Sequence, residues 1–226
     1  MSNEKKRLFS PENTDFIKCL EVQKIHKDGY KSLCDLSFGV EKGQIFCILG
    51  PKGCGKTTAF EAISRMTSIS SGTIQIQGQD LSNINTDYTT GLCLQGNTLW
   101  DFMTVEQHFK VHCAIRGLDS YQTQEMIKYL SEVLSLEEHA TKQVSQISGG
   151  AKRKLCVALA VIQAPDLILL DEPTTGVDPI GREQIWSLLK RIAQEKKSSI
   201  IISTHYFEDA ELVADKLGKA RINESA

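Results

Sequence analysis

One apolar run followed by a glycine-rich segment constrains the fold more than any other feature. IFCIL at residues 45–49 predicts a buried strand, and GPKGCGKTT at residues 50–58 matches the GxxxxGK[ST] pattern of phosphate-binding loops. Glycines let such a loop curl until its N–H groups point at phosphate oxygens, and the following helix adds the positive end of its dipole. A glycine turn between an unrelated strand and helix is the alternative, which this context disfavours.

The pattern assigns a role to each part of the loop. Lys56 is expected to pair with the β- and γ-phosphates of a nucleotide, and the Thr57 hydroxyl to bind Mg²⁺. The candidate nucleotide-binding residues are Gly50, Pro51, Lys52, Gly53, Cys54, Gly55, Lys56, Thr57 and Thr58. Because the loop binds through its backbone, the side chains of Lys52 and Cys54 are expected to point away from the phosphates.

Length and composition limit the remaining possibilities. The 226 residues suffice for one α/β domain, with or without an inserted subdomain. A net charge of -2 gives no general attraction to nucleic acid or anionic lipid. The seven cysteines contain no CxxC pair, which favours a reducing compartment and disfavours a zinc site or a disulfide framework. No apolar run reaches the roughly 18 residues that a membrane-spanning helix needs.

Hydrophobic periodicity predicts the order of elements. Residues 17–22 and 33–40 alternate as half-buried antiparallel strands do, while 167–170 and 199–203 are short apolar runs typical of buried parallel strands. Strands alternating with helices predict an α/β sheet with right-handed crossovers. Helices are expected from Lys56 to about Met66, and over a last stretch that includes Ala210, Val213, Ala214 and Leu217.

Two segments do not follow this alternation. Residues 1–15 are polar and predicted to be a disordered lead-in to a domain that covers 16–226. Residues from about 97 to 163 show helical periodicity without strands, for example at Ile127, Leu130 and Leu134. We therefore expect an inserted helical subdomain there.

Polar residues follow three of the predicted strands. Asp171 and Glu172 come after LILL, where ligands of open α/β sheets bind, and suit a metal-binding carboxylate and a general base. An acidic pair that only caps a helix is the alternative. His205 ends the next buried strand and could contact the γ-phosphate or orient the base, although a lone histidine is usually just a satisfied polar residue. Gln95 could reach Mg²⁺ or the attacking water.

A second anion site is indicated by Ser148, Gly149 and Gly150 at the start of a helix. One nucleotide does not need two unrelated γ-phosphate sites from one chain. The motif is therefore expected to serve a nucleotide held by another copy or a partner. Taken alone, it could be an ordinary helix cap.

These motifs in this order resemble the nucleotide-binding domain of ATP-binding cassette (ABC) transporters. The resemblance covers about residues 17–217, and the segments SGGAKRK, DEPTTGVDP and LWDFMTVEQH resemble the A subfamily, which is associated with lipid movement. It implies a P-loop NTPase with a RecA-like α/β core, an antiparallel β subdomain and an inserted helical subdomain.

The resemblance also implies roles and partners. Residues 50–58 become Walker A, Gln95 the Q-loop, residues 148–151 the signature, Asp171 and Glu172 Walker B and the base, Asp178 part of the D-loop, and His205 the switch histidine. ATP and Mg²⁺ are the implied cofactors, with Thr57, Gln95 and Asp171 at the metal. The implied partners are a second cassette, in a homo- or heterodimer that sandwiches two ATP molecules, and transmembrane domains on another chain or a missing part, with no nucleic acid. The implied location is the cytoplasmic face of a membrane.

Some residues depart from the family pattern. His26 stands where an aromatic residue usually stacks on adenine, with Tyr30 as a possible substitute, and Ala151 replaces an amide side chain after SGG. After Leu217 the chain reads GKARINESA, which is short of the strand and helices that normally follow. Two alternatives remain: a soluble cassette ATPase acting on ribosomes or DNA, and a nucleotide-binding module without hydrolysis.

Overall fold

The computed structural model describes residues 7–8, 10, 13–83 and 88–219, and this part of the chain forms two sheets. The strands are β1 (Ile17–Ile25), β2 (Lys31–Val40), β3 (Ile45–Leu49), β4 (Ser71–Ile76), β5 (Gln79–Asp80), β6 (Thr90–Cys93), β7 (Leu167–Asp171), β8 (Ser199–Thr204) and β9 (Lys216–Lys219). One sheet is antiparallel with the order β2-β1-β4-β5. The other is parallel with the order β6-β7-β8-β3-β9. The predicted α/β class with both kinds of sheet is confirmed.

Helices lie between the strands and in one longer segment. They are α1 (Lys56–Ile63), α2 (Val105–Ile115), α3 (Ser120–Leu134), α4 (Gly149–Ala160), α5 (Pro179–Lys196) and α6 (Phe207–Val213). Residues 97–163 hold α2, α3 and α4 and no strand, apart from one isolated bridge between Thr104 and Gln143. Capping boxes begin α2 and α3, at Thr104 and Asp119, because a polar side chain there satisfies a free helical N–H group.

The parallel sheet separates two hydrophobic cores. Leu167 and Leu169 face α1 and the antiparallel sheet, whereas Ile168 and Leu170 face the helices of the 97–163 segment and α5. This alternation explains why the strand has no polar face: both of its surfaces are buried. The two cores fix β3, β7 and β8 side by side, so their carboxyl ends meet at one edge.

The ends of two predicted helices are wrong. α1 ends at Ile63 rather than near Met66, and Arg65 already has a left-handed φ of 64°. The last helix ends at Val213, so Ala214 and Leu217 are not helical. Leu217 instead pairs with Cys47, because the outer edge of β3 offers backbone groups that β9 can satisfy.

Part of the predicted lead-in, residues 7–8, 10 and 13–15, lies within the described residues. Arg7 forms an ion pair with Asp15, with 2.8 Å between Nη2 and Oδ2, and Leu8 is buried. Residues 1–6, 9 and 11–12 of the predicted lead-in lie outside the described residues, as do 220–226 at the other end. Within the described ranges, no helix has both the length and the apolar character needed to cross a lipid bilayer.

Candidate nucleotide-binding and catalytic site

The glycine-rich loop curls around its own lysine. Lys56 Nζ donates hydrogen bonds to the carbonyl oxygens of Gly50 (2.7 Å) and Pro51 (2.8 Å). Gly55 has a φ of 90°, and a Cβ at this position would overlap the carbonyl oxygen of Ser32. Only glycine fits there, so the pattern of the loop has a steric cause.

The loop is joined to the end of β7 by a hydroxyl and a carboxylate. Thr57 Oγ1 donates to Asp171 Oδ2 at 2.7 Å, and the Ser203 hydroxyl on β8 donates to the other carboxylate oxygen, Oδ1. Asp171 is buried, so these two hydroxyls replace the water that it loses on folding. The oxygens of Thr57 and Asp171 form the kind of hard donor set that Mg²⁺ prefers, so these residues fit the implied metal.

The next residue, Glu172, is held between β7 and β8. His205 Nδ1 lies 3.0 Å from its Oε1, and the Thr175 hydroxyl donates to Oε2 at 3.2 Å. The backbone N–H of Glu172 donates to both the carbonyl and the hydroxyl oxygen of Ser203. Its φ of 51° is unusual for a residue other than glycine. Such strain persists where the surroundings fix the backbone, and it is concentrated at functional sites.

A cavity of about 310 Å³ lies against the loop. Its lining includes His26, Tyr30, Ser32, Lys52, Gly53, Gly55, Lys56, Thr57, Thr58, Gln95 and Glu172. The rings of His26 and Tyr30 stack with their centres 5.9 Å apart, and His26 Nε2 lies 2.8 Å from the Ser32 hydroxyl. Gln95, from the segment after β6, therefore shares a cavity with the loop and with Glu172.

The motif Ser148-Gly149-Gly150 is not part of that lining. Ser148 caps α4 by accepting a hydrogen bond from the Ala151 N–H at 3.2 Å. A Cβ added to Gly149 would meet no described atom within 4 Å, whereas one added to Gly150 would lie 2.9 Å from the carbonyl oxygen of Gly176, so the helix start is open around Gly149 only. The phosphate loop and the Ser148 motif, which are the two predicted anion sites, thus do not line the same cavity within one chain.

The side chains of Lys52 and Cys54 have different surroundings: Lys52 is exposed and lines the cavity, whereas Cys54 does not line it. That both side chains point away from bound phosphates remains a prediction. Cys54 is buried, and its Sγ lies 3.9 Å from Lys56 Nζ inside the loop. The cause is the tight curl of the backbone, which turns this small side chain inward.

Ser203 and Arg153, like Thr175, contribute to the site and are missing from the sequence prediction. Ser203 binds the Asp171 carboxylate, and Arg153 of α4 donates to the Asp171 carbonyl. A serine directly after three isoleucines, at the carboxyl end of a buried strand, is a signal that could have identified Ser203. A single basic residue in a basic helix gives no such signal.

Two groups near the site have shifted pKa values. The Gly181 N–H at the start of α5 donates to Asp178 Oδ1 at 2.9 Å and lowers the pKa of that carboxyl. Burial is the main reason that the pKa of the Cys47 thiol on β3 rises to about 12. Asp178 is thus a charged helix cap, and Cys47 is an inert apolar residue under the loop.

Comparisons with known proteins place this geometry in a family. The family model described as "ABC transporter" matches residues 33–175. The rat protein named "Cholesterol transporter ABCA5" is 36% identical over 185 residues, which are 80% of this chain and 11% of the relative. The human "ATP-binding cassette sub-family A member 10" is 35% identical over 187 residues, which are 81% of this chain and 12% of the relative. The chain thus spans about an eighth or less of the length of these two relatives.

A solved structure has the same fold. It is described as a dimeric post-hydrolysis state of the ATP-binding cassette MJ0796 bound to ADP and Pi, and it superposes with a TM-score of 0.80 at 22% identity. The match covers 91% of this chain and 94% of that one. Because the family model matches well over half of the residues, and the phosphate loop meets Asp171 at one edge of the sheet, the chain belongs to the ABC transporter family as an ATPase cassette.

Proposed function

We propose that this chain binds Mg-ATP against the loop at residues 50–58 and hydrolyses it to ADP and inorganic phosphate. The observation that carries the proposal is a pair of side-chain contacts between the segments that follow β3, β7 and β8. Thr57 is hydrogen-bonded to Asp171, and Glu172 to His205. Phosphoryl transfer needs three parts close together: a loop that holds the phosphates, a carboxylate that binds Mg²⁺, and a base.

The binding step uses the loop and the cavity beside it. An ammonium has three N–H donors; two of those on Lys56 are directed at loop carbonyls, and the third faces the weakly accepting Cys54 sulfur. That third donor is available to a phosphate oxygen. Bound Mg²⁺, held by Thr57 and Asp171 with Gln95 nearby, would neutralise negative charge on the β- and γ-phosphates. His26 and Tyr30 supply the aromatic surface for the base.

The chemical step uses Glu172. Its carboxylate accepts the proton of the water that attacks the γ-phosphorus while the bond to the β-phosphate oxygen breaks. His205 and Thr175 hold one carboxylate oxygen each, which orients the base toward the cavity. Gln95, on the same cavity wall, is suited to position that water.

A second cassette completes the site. The start of α4 exposes Ser148 and Gly149, next to Gly150, yet these residues do not line the loop cavity of their own chain. A two-fold axis would bring this motif to the nucleotide of the partner, in a homodimer or a heterodimer. The dimeric state of the MJ0796 structure supports this arrangement.

Transport of lipid is the role that the relatives favour. The rat relative is named a cholesterol transporter, and we propose that residues 16–226, with 97–163 as the helical subdomain, act as a cassette on transmembrane domains outside this sequence. The cassette would lie at the cytoplasmic face of the membrane and transmit its closure to those domains.

Size-exclusion chromatography of Glu172→Gln with Mg-ATP tests the proposal. The amide keeps the shape of the side chain but is not a base, so ATP should stay intact and a closed dimer should accumulate. Adding Ser148→Arg should abolish that dimer and leave ATP binding unchanged. Glu183→Gln, at an exposed glutamate of α5, and Ser120→Arg, at the exposed start of α3, are the matched controls.

A matching partner cassette is supplied if homodimers do not form. The sandwich arrangement is wrong for this chain if Glu172→Gln binds ATP fully and yet stays monomeric with and without the partner. A wild-type chain that binds Mg-ATP without releasing phosphate in either condition would instead support the binding module without hydrolysis.

A further inference from the structure

Arg153 is a buried arginine on the helix that begins with the Ser148 motif. Its side chain is 3% exposed, although neighbouring Lys152 reaches the surface and lies 3.7 Å from the carboxylate of Asp101. Arginine is rarely buried unless its charge is satisfied. The buried guanidinium of Arg153 therefore requires hydrogen-bond partners inside the protein.

The guanidinium group of Arg153 binds two backbone segments of the candidate site. Nη1 donates to the carbonyl oxygen of Leu94 at 2.6 Å, with a longer contact of 3.5 Å to that of Gln95. Nη2 donates to the carbonyl oxygen of Asp171. One side chain thus joins three parts of the chain: Leu94 and Gln95 after β6 (the Gln95 segment), the end of β7, and the helix that carries Ser148, Gly149 and Gly150.

The contact with Asp171 fixes a particular peptide group. The carbonyl of that peptide belongs to Asp171 and its N–H to Glu172. Arg153 binds the carbonyl, and Ser203 accepts from the N–H with both its carbonyl and its hydroxyl oxygen at 3.1 Å. A peptide plane held from both sides cannot rotate, and its rotation would change the φ of Glu172 from the strained value of 51°.

Stability alone does not explain this arginine. Its Nε has no hydrogen-bond partner among the described residues. An unsatisfied buried donor is destabilising, and apolar residues of similar size often replace buried ionic groups without loss of stability. Retaining a guanidinium here is better explained by what its other two nitrogens hold in place.

We propose that Arg153 is a positioning residue that fixes Glu172 and the Gln95 segment relative to the Ser148 motif. It acts through the Asp171–Glu172 and Leu94–Gln95 peptides rather than by touching nucleotide. The catalytic part of this inference rests on the proposed ATPase function. The mechanical part, that Arg153 holds two peptides, can be measured without it.

The mechanical part is tested by amide hydrogen exchange on the full 226-residue chain without nucleotide. Arg153→Met removes every donor, Arg153→Lys keeps the charge but lacks the planar fork that spans two carbonyls, and Lys152→Met is the control on the same helix. We expect faster exchange at Gln95 and Glu172 in the Met variant, a smaller increase in the Lys variant, and none in the control. Amides of the antiparallel sheet report global stability and should not change.

The catalytic part is tested by single-turnover ATP hydrolysis and a double-mutant cycle. Arg153→Met should lower the rate by up to about 100-fold, as small misplacements of catalytic groups do, with nucleotide affinity nearly unchanged. In the His205→Ala background, which keeps the base but loosens it, the same change should have a smaller further effect, because residues that act as a unit are not additive.

The possible results distinguish failure of the positioning role of Arg153 from failure of the proposed ATPase function. Unchanged exchange at Gln95 and Glu172 in both variants, or faster exchange throughout the chain in both, overturns the positioning role. Losses that multiply in the double mutant also overturn it. A wild-type chain that does not hydrolyse ATP overturns the proposed function, whereas local exchange in Arg153→Met would still support the mechanical part.

Discussion

His205 Nδ1 lies 3.0 Å from Oε1 of Glu172, which joins the residue after β8 to the residue after β7. Glu172 is almost fully buried, and its other oxygen is bound only by Thr175 at 3.2 Å among the described residues. The histidine is therefore half of what orients this carboxylate.

His205→Ala should slow ATP turnover and preserve ATP binding. Without the imidazole, one oxygen of Glu172 is free to rotate, and a misplaced base can lower the rate by about 100-fold. Steady-state phosphate release and calorimetric titration measure the two effects. His139→Ala, at a partly exposed histidine of the 97–163 segment, is the control, and equal rates for His205→Ala and wild type would contradict the role.

Lys56→Ala should weaken nucleotide binding by about 3 kcal/mol, the order seen when one preorganised donor is removed. The change removes the charge next to the phosphates and also the two hydrogen bonds that close the loop at Gly50 and Pro51. Calorimetric titration with Mg-ATP gives the affinity. Lys52→Ala, an exposed lysine of the same loop, should have a much smaller effect; if both variants bind as wild type does, the loop is not the nucleotide site.

Tyr30→Ala should reduce affinity for ATP by about 1 kcal/mol, the typical contribution of an aromatic pair, and Tyr30→Phe should restore it. The Tyr30 side chain is 52% exposed on the cavity wall and stacks on His26, so its ring is open to a purine. Comparison of ATP with inorganic triphosphate separates base stacking from phosphate binding. An equal loss for both ligands would argue against a stacking role.

Gly91→Ala should destabilise the chain by about 3 kcal/mol, at the upper end for overpacking. A Cβ on Gly91 in β6 would overlap the carbonyl oxygen of Ala160 at the end of α4, and neither backbone can move freely. Urea unfolding measures the change. At Gly96 an added Cβ meets nothing within 4 Å, so Gly96→Ala should stay within about 0.5 kcal/mol of wild type. Equal stability of the two variants would contradict the close packing of β6 on α4.

Asp166 should make the free energy of unfolding sensitive to acid. Partial desolvation raises the pKa of this carboxyl, but hydrogen bonds from the N–H and hydroxyl of Thr89 outweigh it and hold the pKa below its ordinary 3.8. A lowered pKa in the folded state means that the contribution is present above 3.8 and is lost as the pH falls below it. Urea unfolding at several pH values should show a shallower loss for Asp166→Asn and an intermediate one for Thr89→Val. Parallel curves for all three proteins would contradict this prediction.

The residues at the sheet edge were predictable because local and global patterns agree there. Runs such as Leu167–Leu170 are typical of buried parallel strands, and parallel strands bring their carboxyl ends together, so Asp171 and His205 were expected at one edge. The same reasoning could not supply distances. It also could not reveal the inward turn of Cys54, which depends on the curl of the loop.

The remaining contributors depend on tertiary structure. Lys216 to Lys219 has no alternating pattern, and it forms a strand only because the edge of β3 is there to pair with it. Arg153 stands between two lysines, so the sequence pattern predicts that it lies on the surface. Its burial is set by carbonyl groups more than 15 residues away along the chain, at Leu94 and Asp171.

The pairing of β3 with β8 has a consequence for the order in which the molecule is built. Ile45 pairs with Ile200, and the Gly50 N–H that begins the phosphate loop donates to the carbonyl oxygen of Thr204 at 3.4 Å. Contacts between such distant residues form late, because a long loop must close first. During synthesis, the loop therefore waits for β8, which follows it much later in the sequence, to leave the ribosome. Until then the nascent chain displays β3 as an unpaired apolar edge, the kind of surface that chaperones bind.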